Sequence, residues 1–200
     1  MTPLRLGLKA RRRKKELRGR PPNVPGKPGV SHLRREVLKR RFPVLVTMRV
    51  REHVWNLRSQ RCFRALQAAF RKGRDRFGFQ LSEFSVQGNH LHFIVEAEDE
   101  KSLARGVQGL TIRMAKALNR VMGRRGKVFT DRYHARILRS PTQTAYALRY
   151  VHTNYQKHMT KLGQFLPAHF LDPYSSATRF PDLTQPPRTW LLQTAAPAPS

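Results

Sequence analysis

Two histidines stand one residue apart in Gln87-Gly88-Asn89-His90-Leu91-His92-Phe93-Ile94-Val95-Glu96. In an extended chain alternate side chains share a face, so His90, His92 and Ile94 point one way and Leu91, Phe93 and Val95 the other. The apolar set has a core to face. The imidazoles, about 6.6 Å apart along a strand, point together at something else and can converge on one cation. A second stretch with chemistry is Tyr146, Tyr150, Asn154 and His158, at successive i, i+4 steps on one side of a helix. There a phenol can be aimed at a phosphate while an amide oxygen, a hard ligand, completes the coordination begun by two imidazoles. Taken singly, each residue has a plainer use: His-x-His occurs in strands with no metal, Tyr150 suits a half-buried packing site, and Asn154 suits a polar surface.

The elements that must position these residues follow from periodicity. Val44 to Val50 is β-rich and reads as a first strand. Gln60 to Phe77 carries Phe63, Leu66, Phe70 and Phe77 near helical spacing with basic residues between, an amphipathic helix with a basic outer face. Gly78 breaks it, Phe79 to Val86 alternates as a second strand, and Gly88-Asn89 supplies turn chemistry for a hairpin into the histidine strand. Asp99-Glu100 opens a long helix to about Met122, ended by Gly123. Residues 126 to 138 read as one extended element or a short hairpin. Ser140-Pro141-Thr142 caps a third helix that runs to about Met159, with Leu148, Val151 and Tyr155 as its packing stripe. The order implies an α+β fold, an antiparallel sheet with helices packed on one face, nearest to a ferredoxin-like plate. Residues 1–41 form a basic arm, expected to lack a core of their own, residues 42–162 the folded domain, and 163–200 an irregular Pro-rich extension whose end is expected to be disordered.

Bulk charge narrows the partner. With 40 Lys+Arg against 12 Asp+Glu, the formal net charge of the 200 residues is +28, which calls for a polyanion. No apolar run approaches the roughly 20 residues a bilayer requires, and no signal-peptide core follows the basic N-terminus, so nucleic acid is favoured over membrane and the expected compartment is the cytoplasm. One cysteine, Cys62, excludes disulfides within the chain and thiolate zinc sites. The few central carboxylates, among them Glu83, Glu96 and Asp131, argue against a carboxylate-rich two-metal nuclease and for a single cation on neutral ligands. Phosphate contacts are expected from Arg11, Arg12 and Arg13 in the arm and from Arg132, Arg136 and Arg149 in the domain.

Three segments taken in order, Asn89-His90-Leu91-His92, Phe129-Thr130-Asp131-Arg132-Tyr133-His134-Ala135-Arg136-Ile137 and Tyr150-Val151-His152-Thr153-Asn154, make the chain resemble the single-tyrosine HUH transposases. It is most similar to the REP-associated tyrosine transposases, and Asp172-Pro173-Tyr174-Ser175-Ser176-Ala177 resembles the tail that often follows that domain. The likeness spans roughly residues 43 to 178. It implies the HUH fold, His90 and His92 as metal ligands, Asn154 as the third, Tyr150 as nucleophile, and Mg²⁺ or Mn²⁺ as cofactor. It implies cleavage and rejoining of single-stranded or hairpin DNA, with no nucleotide cofactor, in the bacterial cytoplasm near the nucleoid. Many members carry Gln at the Asn154 position, and Tyr155-Gln156 replaces a frequent Asn-Pro continuation, so Gln156 and His158 stand as substitute ligands. The resemblance leaves open whether the third helix serves its own subunit or is exchanged in a homodimer. The rival reading from another class is a non-catalytic basic protein that binds nucleic acid without metal.

Overall fold

A computed structural model describes residues 36–167, 169–178 and 180–195. Five strands, β1 (Val44–Arg49), β2 (Asp75–Arg76), β3 (Phe79–Val86), β4 (His90–Ala97) and β5 (His134–Ile137), form one sheet in the order β2-β3-β4-β1-β5. Every pairing is antiparallel. Three long helices, α1 (Gln60–Gly73), α2 (Glu100–Val121) and α3 (Pro141–Lys161), and a short α4 (Trp190–Ala195) complete it.

The helices start where local chemistry predicts. Ser59, Asp99 and Ser140 are extended N-caps whose side chains accept from Cys62, Ser102 and Gln143 backbone N–H groups, satisfying donors that the first turn leaves unpaired. α1 ends at Gly73, short of the expected Phe77. The reason is a tight hairpin: Arg76 pairs with Phe79, and the two residues between, Phe77 and Gly78, have φ of 59° and 71°. That is the type I′ geometry that matches strand twist. Within residues 126 to 138, only His134–Ile137 is a strand, while Phe129 makes an isolated bridge with Val50.

β4 sits between β3 and β1 and is covered on both faces. Leu91, Phe93 and Val95 join Val44, Val46 and Met48 of β1 under Phe63, Leu66 and Phe70 of α1 and Leu110, Met114 and Leu118 of α2. α2 comes close enough that a Cβ on Gly106 would fall 2.1 Å from Phe79 Cγ. Ile94 turns the other way, into a second cluster with Leu138 after β5, Ala147, Leu148 and Val151 of α3, and Leu192 of α4. The antiparallel α+β class is as expected from the sequence. The expected packing on one face is corrected, because α3 lies across the sheet from α1 and α2, on the side to which His90 and His92 point. Its apolar stripe needs a partner, and Ile94 and Leu45 supply one among the polar residues of that face.

The segment after Gly163, expected to be irregular, is woven into the sheet. The Val86 N–H donates to Tyr174 O, Ser175 bridges Ser85, Gln185 N–H donates to Leu81 O, and Ser176–Thr178 form a 3-10 turn. Arg11, Arg12, Arg13 and most of the basic arm lie outside the described residues. Among the described residues no helix is long and apolar enough to cross a membrane.

Candidate functional site

Register decides the site. Thr47 of β1 pairs with His92 of β4 and Arg49 with His90, so these four side chains share the α3 face. Thr47 Oγ1 lies 3.0 Å from His92 Nδ1, and Asn89 Oδ1 lies 2.8 Å from His90 Nδ1. An amide oxygen can only accept, so the hydrogen of neutral His90 sits on Nδ1 and its Nε2 keeps a lone pair. The two rings meet edge to face with centroids 4.8 Å apart.

α3 brings the phenol. Tyr150 Oη is 3.2 Å from His92 Nε2, and their ring centroids are 4.9 Å apart. One turn on, Asn154 is 3% exposed, and its Nδ2 has no hydrogen-bond partner. Thus Tyr150, His92, His90 and Asn154, named from the sequence, gather at one place within one chain. Of the substitute ligands, Gln156 is turned away, donating from Nε2 to Pro167 O at 3.1 Å, while the His158 ring is 5.9 Å from the His90 ring. Arg132, Arg136 and Arg149 are exposed. Through the pairing Leu45↔Arg136 and Thr47↔His134, Arg136 and His134 share the site's face of the sheet.

The electrostatics are those of a dry basic pocket. Burial, with His158 and Arg49 nearby, pushes the His90 imidazole down to about 4. Burial, then His90 and His158, pushes His92 down to about 3. Both are neutral at physiological pH. Burial also raises the Tyr150 phenol above its ordinary value of 10.0, an effect that the nearby Asn154 amide partly offsets without closing a full hydrogen bond. Lys157, on the next turns, places Nζ 5.8 Å from the centre of the Tyr150 ring.

These residues fit a divalent cation. His90 Nε2 keeps a free lone pair, His92 Nε2 would exchange its contact with the Tyr150 phenol for a cation, and the buried Asn154 amide would offer its oxygen, a neutral three-ligand set with an open side. Among the described residues no three His, Cys, Asp or Glu side chains gather to hold a metal.

Further residues, not assigned a role from the sequence, hold α3 in place. His152 Nε2 is 2.9 Å from Glu83 Oε2, which also accepts from Ser176 Oγ. The Arg58 guanidinium makes a two-point contact with Asp172 at 2.8 and 2.9 Å and lies 3.5 Å from the Tyr155 ring centre and 4.3 Å from that of Tyr174. It thereby ties the hairpin, α3 and the C-terminal segment together. Arg58, Tyr155 and Tyr174 also wall a groove of about 500 Å³ that opens beside His90. No sequence signal marks Thr47, Arg58 or Glu83, because each acquires its partner only through strand register or a contact far along the chain.

Residues 37–154 match the protein-family model described as Transposase IS200 like. A solved REP-associated tyrosine transposase bound to a REP hairpin is similar in structure, with a TM-score of 0.55 and 16% identity over 78% of this chain and 92% of that one. At that identity the likeness is one of fold. A chain assigned as a transposase from Deinococcus radiodurans R1 is also similar, with a TM-score of 0.42 and 13% identity over 70% of this chain and 99% of that one. No curated protein sequence matches the chain.

Proposed function

We propose, from the premise that this chain belongs to the IS200-like transposase family, that it cleaves and rejoins single-stranded DNA beside hairpin-forming sequence through a covalent link to Tyr150. The observation that most supports this reading is the 3.2 Å approach of Tyr150 Oη to His92 Nε2 in the same chain. Attack by Oη on a phosphodiester forms a Tyr150–O–P bond to the 5′ side and breaks the bond to the 3′ oxygen. The phenolic proton leaves and a proton reaches the released 3′-hydroxyl, so no water and no ATP are consumed. Attack on the phosphotyrosine by a 3′-hydroxyl reverses the step and rejoins the strand.

The side chains divide this work. With a pKa near 3, His92 is too weak a base to keep the phenol's proton and serves instead to orient the O–H. Tyr150 stays protonated in the free protein because burial disfavours phenolate. Its proton therefore departs only as the bond to phosphorus forms, and Lys157 and the exposed Arg49 supply positive potential there. A divalent cation held by His90, His92 and Asn154 would polarise the phosphoryl group and neutralise the leaving oxygen. Two imidazole donors favour Mn²⁺ over the more oxygen-seeking Mg²⁺.

The test is a denaturing gel of labelled single-stranded hairpin DNA incubated with the protein and Mn²⁺. A covalent adduct is expected, absent with a chelator and in Tyr150→Phe, His90→Ala and His92→Ala, with DNA binding retained. Adduct surviving in Tyr150→Phe sinks the nucleophile. Tight, metal-independent binding with no adduct favours the non-catalytic reading.

A further inference from the structure

At the opposite end of β4 from His90, about 20 Å away over six residues at roughly 3.3 Å each, lies a second cavity of about 420 Å³. Its rim carries Arg40, Arg41 and Arg188, the last paired with Asp75 at 3.1 Å, against one exposed carboxylate, Glu98, and the Trp190 indole, 65% exposed, stands at its edge. Gln80 and Thr189 line it, at 1% and 7% exposed. Each of these two has one buried polar atom with no partner, Gln80 Oε1 and Thr189 Oγ1.

The surrounding bonds say what is missing. Glu96 Oε2 accepts from Gln80 Nε2, from Ser82 Oγ at 3.2 Å and from Arg188 N–H at 2.9 Å, and Oε1 accepts from Thr189 N–H at 2.7 Å. Three donors occupy Oε2 and the Thr189 amide contacts Oε1, so the carboxylate is held by its own neighbours. Gln80 Nε2 also donates to Pro186 O at 2.9 Å. Since only an NH₂ group can donate to a carboxylate and a carbonyl together, the amide cannot be turned around, and Oε1 is an acceptor. Thr189 caps α4 with its backbone carbonyl, which accepts from Leu192 and Gln193, and leaves its hydroxyl unused. A buried acceptor, a spare hydroxyl, an exposed indole face and a cationic rim define a ligand. It has a flat aromatic ring, a donor on its edge and negative charge beyond it.

We propose that this cavity receives a nucleobase bearing an exocyclic amino group, adenine, cytosine or guanine but not thymine, from the same DNA strand that reaches Tyr150. The base stacks on Trp190, and its amino group donates to Gln80 Oε1. That the base comes from a DNA strand rests on the function proposed above; the chemistry of the cavity does not. Arg136 lies on the same sheet face level with Ile94, between His92 and Glu96, and marks basic surface between the two sites.

Trp190 itself is the reporter. The chain has two tryptophans, so a Trp55→Phe background isolates its fluorescence. Short homopolymers of dA and dC are expected to quench it with roughly tenfold higher affinity than dT, which has no amino group, and roughly tenfold more tightly than dAMP or dCMP. Thr189→Val, which removes only the unpartnered hydroxyl, is expected to narrow the preference for dA and dC over dT while leaving the free chain at least as stable. Trp190→Ala, followed by anisotropy of labelled oligomer, is expected to weaken dA binding roughly tenfold. Equal affinity for dA, dC and dT, or unchanged dA binding in Trp190→Ala, overturns the proposal. Mononucleotides that bind as tightly as oligomers reassign the cavity to a free nucleotide and overturn the strand. Tyr150→Phe leaves all these readings unchanged, so loss of adduct and loss of base preference are separate failures.

Discussion

The two faces of β4 are built from neighbouring residues of one strand and could hardly differ more. Leu91, Phe93 and Val95 are at most 1% exposed and belong to the apolar cluster shared with β1, β3, α1 and α2. His90, His92 and Glu96 face α3, α4 and the C-terminal segment. Of the four buried side-chain polar atoms without a partner among the described residues, three lie on that second side: Asn154 Nδ2, Gln80 Oε1 and Thr189 Oγ1. A fold avoids such atoms wherever packing alone is at stake. The contrast is between an α1–α2 layer that packs apolar side chains against β4 and an α3–α4 side that, besides its own apolar cluster, holds three unpartnered polar atoms beside the two proposed sites.

That division can be broken from the packed side first. Phe93→Ala opens a cavity under α1 and should cost about 3–5 kcal/mol in a urea titration, with any adduct formation lost only as the protein unfolds. Gly106→Ala drives a methyl into the Phe79 side chain and should cost about 1–3 kcal/mol by the same measurement, with metal-dependent cleavage unchanged in the fraction still folded. If either alters cleavage in fully folded protein, the two layers are not independent.

The polar side offers smaller, more selective changes. His152→Gln replaces the His152–Glu83 contact and loosens α3, so adduct yield should fall several-fold while stability drops by about 1 kcal/mol or less, since both partners are partly exposed. A double-mutant cycle with Glu83→Gln checks the coupling: equal effects of His152→Gln in both backgrounds would show that the pair does not position Tyr150. The remaining test of the polar side is with pH. Unfolded imidazoles titrate near 6.5, whereas His90 and His92 in the folded chain titrate near 4 and 3. Between those values the unfolded chain binds protons that the folded chain refuses. Stability from this pair is therefore complete above about pH 6.5 and declines as pH falls from there towards about 3. Thermal unfolding in chelator across that range should show the decline, and His92→Asn should shrink it.

How far the sequence carried the description can be read element by element. The strand alternation around His90, the caps at Ser59, Asp99 and Ser140, and the Tyr150–Asn154 step each depend on neighbours within four residues, and all were legible. The helical stripe predicts α1 as far as Phe77, but a two-residue hairpin claims that residue at positive φ. The residues after Gly163 looked irregular because their hydrogen bonds go to β3 and Glu96, some ninety positions earlier, which no local pattern records.

By itself the sequence determined which side chains point together along one strand and one helix, since backbone sterics fix periods of two and 3.6 residues. Only the tertiary structure decided that α3 crosses to the histidine face and brings Tyr150 to His92 over 58 positions. It also decided that Thr47 orients His92 through the β1–β4 register, and that Gln80 and Thr189 share a cavity. Such meetings depend on which apolar stripe finds which sheet face. That is a property of the whole packed chain, where burial of Ile94, Leu148 and Val151 selects one arrangement among the many that local geometry permits.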